Sequence, residues 1–134
     1  MSCKSAIYTA NTTATATAIG STIPFGSVVR RFGQNIDLAG TAINLCGRGY
    51  YDVDISVTAN VTAIGTLTVT LLKDGVAVPG ATASASVSTA GDVVNLSIDA
   101  LVREQCCDST STLTLVLTGA AATVTNVAAV VEKL

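Results

Sequence analysis

The stretch "AINLCGRGYYDVDISVTANV", residues 42–61, decides the fold. From Tyr51 it alternates without a slip, Val53, Ile55, Val57, Ala59 and Val61 against Asp52, Asp54, Ser56, Thr58 and Asn60. A period of two sends successive side chains to opposite faces of an extended chain, so this is a strand with one apolar and one polar face. It is entered through Cys46, two glycines and two tyrosines, the mark of a turn feeding a strand.

Working outward, the same period recurs. "GTLTVTLLKDG" (65–75) sets Leu67, Val69 and Leu71 against Thr66, Thr68 and Thr70, and its Asp74-Gly75 pair suits the positive φ angles of a type I′ hairpin turn. "VAVPGATASASV" (76–87) follows, with Pro79 arguing for an edge or a bulge, because proline has no N–H to give to a ladder. "DVVNLSIDALV" (92–102) points Val94, Leu96 and Ile98 inward, and "STLTLVLTG" (111–119) does so with Leu113, Leu115 and Leu117. Before residue 42 lie "SAIYT" (5–9), the weakly apolar "TATATAI" (13–19) and "SVVRRF" (27–32). In the closing segment, "ATVTNVAAVVEKL" (122–134), Val124, Val127, Val130 and Val131 do not keep to one face. That predicts cover on both faces, one by the partner sheet and one by another subunit.

No segment reads as a helix. Nine or ten short strands, with turn signals about every ten residues, predict an all-β sandwich, most simply a jelly roll of antiparallel strands. The 134 residues suit a single domain over 1–134, with 1–12 as an N-terminal arm or first strand held by neighbouring subunits.

Charged residues make up 12% of the chain and the net charge is −2. Arg30, Arg31 and Arg48 are not interleaved with aromatics, so nucleic acid is not an expected partner. Mean hydropathy is +0.59, yet no apolar run approaches the ~20 residues of a spanning helix, and membrane insertion is not expected. So much half-apolar surface with so little charge predicts tight self-association. "MSCKSAIYTANTT" lacks the basic-then-apolar order of a secretory signal, which predicts synthesis in the cytoplasm and delivery by assembly and lysis.

Of the four cysteines, Cys3 and the vicinal Cys106–Cys107 pair are candidates for an intersubunit cross-link, and a buried apolar role is the ordinary alternative for a free thiol. They lack C-x-x-C spacing and the chain has no histidine, so no metal or cofactor is expected. Tyr50 and Tyr51, adjacent on a strand, point to opposite faces, one to the core and one to a subunit interface; Val127, Val130 and Val131 complete the candidate interface. Asp52 and Asp54 share a face but lack the oxygen-rich loop that calcium needs, and Asp92 and Asp99 read as isolated. Arg30 and Arg31 suit a solvated turn or an intersubunit ion pair. Together with Asp74 and Glu104 they are candidate loop contacts, the last two for a glycan. The sequons at Asn11, Asn60 and Asn95 are chance matches in a threonine-rich chain. With no histidine, no Gly-x-Ser-x-Gly elbow and no phosphate-cradling glycines, the chain is not expected to be an enzyme.

"LCGRGYYDVDISV" after "IPFGSVVRRFGQNIDLAG" resembles the trimeric jelly rolls of the tumour-necrosis-factor and complement-subunit superfamily. Phe25 before a short strand, Gly49-Tyr50-Tyr51 opening the long one, and the Lys73-Asp74-Gly75 hairpin match in order over roughly residues 20–134. The small residues of "VAAVVEKL" are similar to versions at bacterial spore-fibre tips and in bacteriophage virions. The resemblance implies a homotrimer packed round a threefold axis with exposed loops at its top. Three functions are then compatible. One is a virion component (capsid decoration, fibre or spike head) contacting other virion or surface proteins. Another is a bacterial surface or spore-appendage subunit cross-linked through cysteines. The third is a carbohydrate-binding module reading a host glycan.

Overall fold

The computed structural model describes residues 5–104 and 110–134. They form eleven strands and no helix: β1 (Ala6–Asn11), β2 (Thr15–Thr17), β3 (Ser27–Phe32), β4 (Ile36–Ala39), β5 (Ala42–Cys46), β6 (Gly49–Val61), β7 (Gly65–Lys73), β8 (Val76–Val87), β9 (Val93–Glu104), β10 (Thr110–Thr118) and β11 (Ala122–Lys133). One sheet runs β3-β1-β11-β6-β9, with β2 also pairing β11, and the other runs β4-β5-β10-β7-β8. Every pairing is antiparallel. Two antiparallel sheets whose sequential strands cross between layers make a jelly-roll sandwich. The extra strand over the expected ten is β4, whose four residues lie between turn glycines, too short for a period to show.

The core lies between the sheets, where the alternating strands meet. Val53, Ile55, Val57, Ala59 and Val61 of β6 face Leu67, Val69 and Leu71 of β7 and Leu113, Leu115 and Leu117 of β10, all buried. Each such side chain stabilises the fold by roughly 1.5–3 kcal/mol through the apolar area it removes from water. Phe25 is fully buried with them.

The hairpin between β7 and β8 forms as its sequence requires: Asp74 has φ 52° and Gly75 φ 81°, both positive. Pro79 lies on β8, the free edge of its sheet, where the register jumps from Thr70↔Thr82 to Leu72↔Ala77. Edge and bulge are both present.

The closing strand needs a correction. A bulge between Val124 and Asn126 shifts the register against β6, from Val124↔Ala59 to Asn126↔Thr58. The extra residue, Thr125, donates its hydroxyl to the Thr58 carbonyl at 3.2 Å. One inserted residue reverses the phase of all that follows. Ala122, Val124, Val127, Ala129 and Val131 therefore all point into the core. The broken valine pattern records this bulge and is not a sign of two apolar faces.

Candidate self-association surface

The outward face of the β3-β1-β11-β6-β9 sheet can be read strand by strand from its register. One row crosses it as Arg30 on β3, Tyr8 on β1, Val130 on β11, Asp54 on β6 and Asp99 on β9. The next row is Phe32, Ala6, Glu132, Asp52 and Leu101. Beyond it Tyr50 pairs Arg103, whose guanidinium lies 6.0 Å from the tyrosine ring centroid. On the other side the surface shrinks to Ala10, Ala128, Ser56 and Ser97.

Several large apolar groups here face solvent: Tyr8 is 39% exposed, Tyr50 49%, Leu101 59% and Phe32 61%. Other large apolar groups, Ile19, Ile64 and Val76 among them, are exposed elsewhere, and it is the presence of these four on one sheet that marks the face. Tyr8, Phe32 and Val130 line one shallow apolar groove with the stems of Arg30 and Arg31. At the opposite edge Leu101 and Arg103 line another with Lys73, Val76, Val78 and Pro79.

The acidic part of the face has its own electrostatics. Asp54 and Asp99 are direct cross-strand partners, and Glu132 is paired across from Asp52. The Asp54 carboxyl is pushed up from 3.8 to about 6, chiefly by a hydrogen bond shared with Asp99, then by partial loss of water and by the charges of Asp52, Asp99 and Glu132. Like charges placed opposite each other in a sheet destabilise it. Asp99 is therefore not isolated. Its sequence distance from Asp54 concealed a contact that only the register creates, although outward alternation on both strands was its available signal. Among the described residues no group of three or more histidine, cysteine or carboxylate side chains is gathered as a metal site.

The other predicted residues separate cleanly. Tyr51 goes to the core, donating its hydroxyl to the carbonyl of Gly47 at 2.7 Å and reaching that of Cys46 at 3.2 Å. Burial, aided by the charges of Glu104 and Cys46, pushes its phenol up to about 12, so it stays a donor. Val127 and Val131 are wholly buried within the chain and have no area left for a neighbour, whereas Tyr50 and Val130 stand on the outer face. Arg30 and Arg31 occupy strand β3 and not a turn. Arg31 donates to the Ile36 carbonyl at 2.8 Å and lies 3.9 Å from Asp37, tying the edges of the two sheets together. Arg30 takes no ion pair among the described residues.

Asp74 also has a structural job. Its carboxylate accepts the Thr112 amide at 3.0 Å while its own amide donates to the Thr112 carbonyl at 2.9 Å. Glu104 is only 4% exposed at the end of β9, so it is no open loop contact. Cys46, at the end of β5, is free and exposed and so does not take the buried role ordinary for a thiol. Cys3, Cys106 and Cys107 lie outside the described residues. No helix among the described residues is long and apolar enough to cross a membrane.

No protein-family model matches this chain, and no curated protein matches it in sequence. Solved structures match its fold over nearly the whole length. Murine APRIL superposes with a TM-score of 0.73 at 12% identity, covering 98% of this chain and 99% of its own. The globular domain of zebrafish complement 1qA gives 0.68 at 9%, covering 96% and 94%. The vertex protein P5 of PRD1 gives 0.64 at 15%, covering 99% and 98%. At these identities the likeness is one of fold, the jelly-roll sandwich that this chain shares with all three.

Proposed function

We propose that this chain is a non-enzymatic structural protein that self-associates as a homotrimer through the outward face of the β3-β1-β11-β6-β9 sheet and serves as a virion component. The observation that carries the reading is the gathering of Tyr8, Phe32, Tyr50 and Leu101 on that one face. Burying each of them removes area worth roughly 1.5–3 kcal/mol, and they supply apolar anchors on both sides of the face, Tyr8 and Phe32 toward β3 and Tyr50 and Leu101 toward β9, for a standard interface of ~1,600 Å². A virion setting is supported by the fold shared with the PRD1 vertex protein, and it would draw in other virion or surface proteins as partners.

Absolute mass by light scattering, with and without reductant, tests the assembly; immunogold labelling of particles from a lysate of producing cells tests the setting. A reductant-independent trimer with label on particles is expected. A monomer would remove the interface, and a reductant-sensitive ladder would transfer the reading to a cross-linked appendage. The glycan-binding alternative loses Glu104, which is buried, and keeps Asp74, which is exposed with one carboxylate oxygen on the Thr112 amide.

A further inference from the structure

Arg30 and the Asp54–Asp99 pair occupy opposite ends of one exposed row, with only Tyr8 and Val130 between them. β3 and β9 are the two edges of this path through the sheet. Three strand spacings separate Arg30 from Asp54 and four separate it from Asp99, roughly 14 and 19 Å, so the charges cannot meet within one chain. Arg31 is already turned to Ile36 and Asp37, which leaves Arg30 as the cation of this edge without an ion pair among the described residues. At the other end, Asp54 is faced by Asp52 on its own strand, by Glu132 and Val130 from β11 and by Asp99 from β9. It has neighbours of its own sign and no cation among them.

Resting on the self-association reading above, we propose that neighbouring copies meet head to tail across this row, Arg30 of one copy pairing with the Asp54 and Asp99 carboxyls of the next. The occupant of the face is thus a second copy of this chain, chosen by charge complementarity and by the apolar grooves at the two ends of the row. At the β3 edge lie Tyr8 and Phe32; at the β9 edge, Leu101 and Val76. Round the threefold axis of that reading each contact joins two unlike patches, so the β3 end of one copy meets the β9 end of the next and the contact repeats until the ring closes.

The pairing is also linked to pH. A cation favours the ionised carboxylate, so docking lowers a carboxyl that stands at about 6 in the free chain, and association releases protons. Assembly therefore tightens as pH rises through about 6 and loosens below it.

The test is a charge swap read by sedimentation at pH 7.5, with circular dichroism to establish that each variant keeps its strand spectrum. Arg30→Glu and Asp99→Arg should each raise the dissociation constant by about tenfold or more, and the double variant Arg30→Glu/Asp99→Arg should return it to within about threefold of the parent. Single variants that associate like the parent, or a double variant no better than its weaker single, overturn the pairing while leaving self-association intact. A parent that stops at a closed dimer overturns the head-to-tail arrangement. A parent that is monomeric at every concentration overturns the self-association reading and this one with it.

Discussion

Asp54 shows how a single side chain reports the surface around it. Its carboxyl stands at about 6 against an ordinary 3.8, because Asp99 shares a hydrogen bond with it and the neighbouring charges are all negative. A carboxyl raised by folding holds its proton more tightly in the native chain than in the unfolded one. Between pH 4 and 6 the native state therefore binds more protons, and stability falls as pH rises across that window and is level above it. Asp54→Asn removes the titration. In denaturant melts at protein concentrations below the association midpoint, the variant should exceed the parent at pH 7.5 and match it near pH 4. An equal offset at both values would mean that charge is not the cause. Phe32 and Leu101 make the complementary point for apolar groups, since neither is needed by the chain's own core.

Strands and turns explain why these side chains share a face. The period-two alternation of β6, β7, β9 and β10 was legible because it is long, regular and ends at recognisable turns. The β11 bulge was not legible, since one extra residue leaves the composition unchanged and reverses only the phase. The row from Arg30 to Asp99 could not be read either: it joins residues from five strands, and which strand lies beside which is set by the crossovers of the sandwich. The Asp74-Gly75 hairpin is the local feature whose chemistry was fully written in two residues. Asp74 holds φ 52°, which costs a residue with a Cβ about 1–2 kcal/mol unless its side chain compensates, and its carboxylate does so by accepting the Thr112 amide. Asp74→Ala loses that bond and keeps the strain, so unfolding should be easier by about 1–3 kcal/mol in urea melts. Asp74→Asn retains both an acceptor oxygen and tolerance of positive φ, and should lose less than half of that. If alanine and asparagine cost the same, the Thr112 bond contributes nothing and the turn rests on backbone alone.

For the whole molecule, the question is how a sandwich with a filled core can still leave so many large apolar groups in water. Its interior is complete without them: the residues between the sheets are buried, and Tyr8, Phe32, Tyr50 and Leu101 stand on the outward side of the β3-β1-β11-β6-β9 sheet. Substituting the exposed set should therefore separate assembly from folding, which a core substitution cannot do. Leu101 is the sharpest place to try. It lies on the β9 edge, 59% exposed, opposite Asp52 and beside the groove formed with Val76 and Pro79. Leu101→Lys would give the single chain a solvated cation beside a carboxylate, a change that a surface position absorbs within about ±0.5 kcal/mol. At an interface the same substitution buries an ammonium and forfeits an apolar anchor, so assembly should weaken by a hundredfold or more, roughly 2.7 kcal/mol. The expected result is a chain with the parent's circular dichroism and urea midpoint at high dilution, sedimenting near 13.4 kDa where the parent sediments near three times that mass. A variant that still assembles would show that this edge lies outside the contact, and the apolar face would then need a partner other than the chain itself.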